Sequence, residues 1–277
     1  MLSRSMPAGC VIAGVGATGS GRELANALVD ADVVKNEITA HGMAVLHCIP
    51  DAQTILEIGG QDSKIILLRN GVVSDFAMNT VCAAGTGSFL DRQAARLNVP
   101  IQEFGALALK SRSPVRIAGR GAVFAESDMV HKQQMGCSSE DIIKGLCEAL
   151  VRNYLNNVGK GKEILPQIVF QGGVAANAGI KKSFEEALGR PVIVPEHYDV
   201  MGALGAGILA QKQMQKGGMT RFRGFHSIQE DFHARTFECN GCSNLCEVVE
   251  ISSGGSIKAR WGDRCGKWAM SAAQEHQ

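Results

Sequence analysis

Several features are missing from this 277-residue chain, and each absence removes a class of protein. No apolar run approaches the ~18 residues that a membrane-crossing helix needs, so a bilayer is not an expected partner. Basic and acidic residues nearly cancel, at 28 Lys and Arg against 27 Asp and Glu. There is thus no cationic excess to meet a phosphate backbone, and nucleic acid is not an expected partner either. A G-x-x-x-x-G-K-[ST] loop is absent, which excludes a P-loop nucleotide site, and no segment repeats at a fixed period. The opening MLSRSMPAGCVIAGVGATG sets a basic residue before an apolar stretch. Glycines break that stretch and it runs into a helical pattern, so it reads as a strand and not as an export signal. Nine cysteines without such a signal point to reduced thiols, metal ligation and the cytoplasm.

What is present is an ordinary globular composition, 45% apolar and 20% charged, with 33 glycines. That is well above the roughly 7% average for glycine, and the excess sits at strand ends, where backbone must approach something closely. Strands are expected at Val11–Val15, Thr54–Ile58, Ser63–Arg69, Val72–Met78, Gln167–Gln171 and Val192–Val194. Helices are expected at Arg22–Val29, Ile38–Leu46, Ser88–Leu97, from the Ser138/Asp141 capping box through Tyr154, at Ala175–Leu188 and at Gly202–Gln211. Strands alternating with helices predict a layered α/β domain over residues 1–211. A basic, polar linker over 212–229 and a small cysteine-bearing module over 230–277 follow.

Gly14, Gly16 and Gly19 match G-x-G-x-x-G. The segment behind them, DADVVKNEITAHG, offers no apolar strand for a dinucleotide fold, so that reading is rejected. Three other glycine elements carry more weight: Gly59-Gly60 after a strand, Gly85-Thr86-Gly87 at a helix start, and Gly172-Gly173 between a strand and a helix. Strand-end glycines and helix N-termini expose N–H groups that favour anions. Three such elements in one chain predict a shared nucleotide site.

The order LEIGGQDSK, MNTVCAAGTGSFLD, VFAESDM, QGGVAAN and YDVMGALGAG resembles the activator ATPases of 2-hydroxyacyl-CoA dehydratases and benzoyl-CoA reductases. The resemblance covers about Val11 to Ala210. It implies the ribonuclease-H-like fold of the actin, hexokinase and acetate kinase superfamily, with ATP or ADP and Mg²⁺ bound. Glu57 would orient the metal or its water. Gly59, Gly60 and Gln61 would surround the terminal phosphates, with Gln61 placing the attacking water, and Gly172, Gly173 and Asn177 would cradle the adenosine end. The resemblance also implies a [4Fe–4S] cluster shared across a homodimer, with Cys82 as one ligand, and an acyl-CoA dehydratase or reductase component as partner.

Two departures stand out. Gly121 occupies the position of the second cluster cysteine, and the family's D-x-G-[ST] phosphate-loop strand is absent. The fold is therefore expected to lack its first strands, and an N-terminal fragment from another chain becomes a possible partner. A regulatory or scaffold relative without catalysis is the alternative function.

Cys239, Cys242 and Cys246 in CNGCSNLC, with Cys265 further on, form a second signal independent of the first. Four thiolates are enough to close a site around an iron–sulfur cluster or, alternatively, zinc.

Overall fold

A computed structural model describes residues 9–79, 85–118, 121–225, 227 and 230–268. The chain divides into two compact units, one made of 1–44 with 202–277 and the other of 45–201.

The first unit opens with β1 (Gly16–Ala17), α1 (Arg22–Val29), β2 (Val33–Val34) and α2 (Glu37–Cys48). β1 and β2 pair in parallel. Strand structure thus begins later than the apolar run Val11–Val15 predicts, and Val11 is 88% exposed. The Val15 amide donates to the Asp32 carboxylate at 2.8 Å instead of to a neighbouring strand. The strand that the sequence reading denied to the segment after α1 does exist, but it is two residues long.

The second unit carries a five-stranded sheet. β3 (Thr54–Ile58), β4 (Ser63–Arg69) and β5 (Val72–Asn79) form an antiparallel meander. β6 (Ile168–Gln171) and β7 (Val192–Ile193) add in parallel, giving the order β5-β4-β3-β6-β7. Every residue of β3 and β6 is buried, as central strands covered on both faces require. Between β5 and β6 run α3 (Gly87–Leu97), α4 (Ile101–Ala108), α5 (Ala122–Gln134) and α6 (Ser139–Asn157), and α7 (Ala178–Leu188) follows β6.

α6 begins as its capping pair predicts, with the Asp141 amide donating to Ser138 Oγ at 3.2 Å. The Asp141 carboxylate turns outward and accepts from Ser111 Oγ and the amides of Arg112 and Ser113. Tyr154 on α6 is buried edge-on against Phe184, and its hydroxyl donates to the Lys64 carbonyl at 2.6 Å. One helix is thereby fixed to both α7 and β4.

The first unit resumes with α8 (Met201–Met214). Here the small residues of MGALGAG have a direct use. A Cβ on Gly205 would fall 1.9 Å from the Ala40 carbonyl oxygen, and one on Gly16 would fall 2.2 Å from that of Ala206. Helix and strand backbones therefore touch where a side chain would otherwise separate them. Within 212–229, Thr220 Oγ1 and the Arg221 amide donate to Asp32, and Ser227 Oγ donates to the Leu28 carbonyl.

A three-stranded antiparallel sheet follows: β8 (Phe232–Glu238), β9 (Glu247–Ser253) and β10 (Ser256–Trp261), with β9 central. Arg235, Glu250 and Arg260 align across it. Glu250 accepts from Arg235 Nε at 2.5 Å and from Arg260 Nε at 2.6 Å.

Candidate nucleotide site and cysteine set

β3 and β6 are parallel neighbours with Glu57 opposite Gln171, so both chains leave the sheet side by side at their carboxyl ends. That edge is where open α/β sheets bind ligands. Gly59 turns the chain tightly, its amide donating to the Asp62 carbonyl at 3.0 Å. Gly172 has φ +88°, and a Cβ there would lie 2.4 Å from the Ile58 carbonyl oxygen and 2.8 Å from Glu57 Oε1. Only glycine fits this corner.

The third glycine element docks on the first. The Gly87 and Ser88 amides donate to the Gly59 and Gly60 carbonyls, both at 2.9 Å. These are the N–H groups that the sequence reading offers to an anion. They are used instead to join the start of α3 to the β3–β4 turn, because a turn running directly beneath a helix N-terminus presents carbonyls to it.

The three elements therefore meet. Gly60, Gly87, Gly173 and Asn177 line one cavity of 430 Å³, together with Leu90, Asp91, Ile101, Gln102, Gly105, Val174 and Ala176. Its volume lies in the range of small-molecule sites, and apolar walls with a few polar groups are the usual lining. Asn177 caps α7 through Oδ1, which accepts from the Ile180 amide at 3.1 Å. Its Nδ2 is buried with no acceptor among the described residues, a donor that a ligand would satisfy. Gly59 and Gly172 form the corner behind this lining. Thr86 is buried beside it, with Oγ1 3.1 Å from Ser88 Oγ. A Cβ on Gly85 would face Asn153 at 3.0 Å. Gln61 is exposed on the turn.

Glu57 sits beneath this corner, 5% exposed. Lys64 lies opposite it in register on β4, and its Nζ bridges Glu57 Oε2 at 3.0 Å and Asp62 Oδ2 at 2.8 Å. Burial alone would lower the Lys64 pKa, but the charge of Glu57 and the bonds to Asp62 and Glu57 outweigh it and raise the value. The ammonium thus stays charged. The sequence signal for Lys64 is a basic residue at the head of an otherwise apolar interior strand, SKIILLR, where a charge needs a partner.

A larger cavity of 1230 Å³, lined in part by Arg116, His131, Lys132 and Arg152, contains none of the glycine elements. Cys82 lies outside the described residues. Gly121 caps the start of α5 and brings no thiol.

In the first unit, Cys239 is buried, Cys246 is half-buried, and Cys242 and Cys265 are exposed, all as free thiols. Cys239 Sγ accepts from the Trp268 indole N–H at 3.1 Å. That bond, aided by the Gly241 amide, holds the thiol below its ordinary pKa. Cys147, by contrast, is buried among apolar groups and pushed up to about 12. Among the described residues no three His, Cys, Asp or Glu side chains are grouped tightly enough to hold an ion. No described helix is long and apolar enough to cross a membrane.

Comparison with known proteins accounts for this architecture. The (R)-2-hydroxyglutaryl-CoA dehydratase activating ATPase of Acidaminococcus fermentans is 36% identical over 203 residues, 72% of this chain and 76% of that protein. The activator of lactoyl-CoA dehydratase from Anaerotignum propionicum is 36% identical over 188 residues, 68% of this chain and 72% of that protein. The activator of 2-hydroxyisocaproyl-CoA dehydratase from Clostridium difficile, solved with bound ADPNP, superposes with a TM-score of 0.67 at 34% identity, covering 72% of this chain and 73% of that one. The fold is that of the actin and hexokinase superfamily. With the family's sequence profile matching residues 3–210, the chain belongs to the BadF/BadG/BcrA/BcrD ATPase family.

Proposed function

We propose that this chain is an ATP-dependent reductive activator of an acyl-CoA dehydratase or reductase component, delivering a low-potential electron through an iron–sulfur centre. The observation that carries the nucleotide part is the meeting of Gly60, Gly87, Gly173 and Asn177 on one cavity above Glu57. In this reading the apolar walls Leu90, Ile101 and Val174 receive the base, and Asn177 Nδ2 donates to the nucleoside. The Gly59–Gly60 turn faces the terminal phosphates, and Gln61 places the attacking water.

Glu57, paired with Lys64, would orient Mg²⁺ or a water on it. A carboxylate paired with an ammonium is a weak proton acceptor, so its role here is positioning and not proton abstraction. The magnesium ion would neutralise charge developing on the phosphates. Gly85 and Thr86 support the corner from behind.

An iron–sulfur centre would supply one-electron chemistry. Cys82 is the proposed ligand in this part of the chain, and a second copy of the chain would contribute its own. Gly121 offers no thiolate at the second position, and this favours one further reading, a regulatory relative that binds nucleotide without transferring electrons. An N-terminal fragment carrying D-x-G-[ST] is a further proposed partner.

Anaerobic purification followed by nucleotide titration and ATP hydrolysis assays tests the proposal. Micromolar or tighter ATP binding, hydrolysis, and iron with acid-labile sulfide are the expected results. Binding without iron or hydrolysis would establish the regulatory reading, and no binding would remove both.

A further inference from the structure

The family match ends at residue 210, and the sheet that follows gathers its cysteines at one end. β8 ends at Glu238, one residue before Cys239, and β9 starts at Glu247, one residue after Cys246. Glu238 pairs with Glu247, and the Cys239 amide extends that ladder by donating to the Cys246 carbonyl at 2.8 Å. Cys242 lies in the connecting loop, where its carbonyl accepts from the Leu245 amide. β10 runs antiparallel to β9 and finishes at Trp261 opposite Val249, near the start of β9. Its outgoing chain therefore leaves at the same end, carrying Cys265.

The 263–268 turn then folds back over Cys239. Asp263 Oδ2 accepts from the Trp268 amide at 3.0 Å, and the Trp268 indole N–H reaches Cys239 Sγ at 3.1 Å. Trp268 also stacks edge-on against Phe237, with ring centroids 5.1 Å apart.

Two physical points favour a ligand here. First, the turn that carries Cys265 folds back so that the Trp268 indole N–H reaches the buried Cys239 Sγ, an outer donor of the kind that orients a ligating atom. Second, the sheet's own apolar core is small. Among described residues 230–268 the buried apolar side chains are Cys239, Val248, Ile251 and Ala259, and these thiols are free. Sheets of this size usually rely on a disulfide or a metal.

We propose that Cys239, Cys242, Cys246 and Cys265 close around one thiolate-bound metal centre that staples this end of the sheet. All four donors are soft thiolates, which select zinc or iron over magnesium or calcium. Drawing the sulfurs to metal-bond length, about 2.3 Å for zinc, is what metal binding itself drives in small modules of this kind. This inference stands apart from the nucleotide reading, because no residue in it lines the cavity of the second unit.

The test uses the full chain purified without oxygen, analysed for zinc, iron and acid-labile sulfide. Metal is counted in a Cys82→Ser background, where the cluster proposed above cannot form, and Cys242→Ser and Cys265→Ser are each added to it beside Cys48→Ser as the control. One zinc ion, or one iron or iron–sulfur centre, per chain is expected in that background. It should persist when Cys48 is also replaced and fall at least tenfold in occupancy when Cys242 or Cys265 is. Because those variants could simply unfold, wild-type thiols are also titrated with a mercurial while released metal is followed with a chromophoric chelator. Release complete at about four thiols per centre supports the proposal. Wild-type protein that holds no metal even after loading with zinc, or with iron and sulfide, overturns it. So does a Cys239–Cys242 disulfide in freshly isolated protein, or metal lost only when Cys82 is replaced.

Discussion

The two units use glycine against backbone in opposite ways. In the second, Gly172 lets the chain leave β6 within 2.4 Å, measured from an added Cβ, of the Ile58 carbonyl oxygen. The result is an opening at the strand ends. In the first, Gly205 lets α8 lie on α2 where a Cβ would come within 1.9 Å of the Ala40 carbonyl oxygen. The result is a closed contact. Gly172 also has φ +88°, which side chains rarely adopt, whereas Gly205 is helical. The same residue type thus shapes a binding corner in one unit and a helix seam in the other. A glycine count alone cannot distinguish them; the flanking pattern, strand–GG or small-xx-small, does.

This contrast can be broken most directly by Gly172→Ala. It should weaken binding of a non-hydrolysable ATP analogue about 100-fold, the loss of roughly two hydrogen bonds from the displaced corner. Gly205→Ala should lower stability by about 3 kcal/mol through overpacking while costing less affinity than the Gly172 change. Calorimetric titration and urea unfolding of both variants measure this, and equal losses of affinity would end the distinction.

Next in size, Lys64→Met should destabilise the protein by about 3 kcal/mol, because it strands the buried Glu57 carboxylate. Adding Glu57→Met should recover part of that loss. A double variant less stable than either single one would show that the pair is not the unit that matters.

Asn177→Ala should cost about 1 kcal/mol through its lost helix cap. It should also weaken nucleotide binding roughly tenfold, as a neutral hydrogen bond implies. Unchanged affinity would remove Asn177 from the binding residues.

The smallest effect concerns pH. Hydrogen bonds to Asp141 from Ser111, the Ser113 amide and Ser138 hold its carboxyl down at about 2, against an ordinary 3.8. A depressed carboxylate stabilises the fold above the ordinary value, and that contribution is lost as pH falls from about 4 towards 2. Asp141→Asn should flatten this part of the stability–pH curve, measured by thermal melting across that range.

Much of the second unit could be read from the sequence because its elements announce themselves locally. TILEI and SKIILLR are runs of branched apolar residues broken by a GGQD turn, and Ser138 with Asp141 marks a helix start. α4 and α5 were not legible. Pro100 reads as the end of α3, yet it also caps α4, a position proline favours near helix starts. α5 exposes Val123 and Phe124, so no apolar stripe reveals it. The strand predicted at Val11–Val15 does not form there, and two-residue β1 follows it instead, for a related reason: an apolar run becomes a strand only where a neighbouring strand offers hydrogen bonds, and here Asp32 supplies one to the Val15 amide. At the site, the glycines were legible as a set, but the diversion of the Gly87 and Ser88 amides to protein carbonyls was not. Which acceptor an amide finds is decided by packing between distant segments.

That diversion has a kinetic consequence. A loop tethered at both of its carbonyls by a neighbouring helix has already lost the freedom that ligand capture would otherwise take from it. Nucleotide should therefore meet a rigid receptor, with arrival governed by diffusion and orientation instead of by a slow folding of the loop around it. If stopped-flow traces showed a concentration-independent ordering phase, the tether between Gly87, Ser88 and the Gly59–Gly60 turn would have to open in solution.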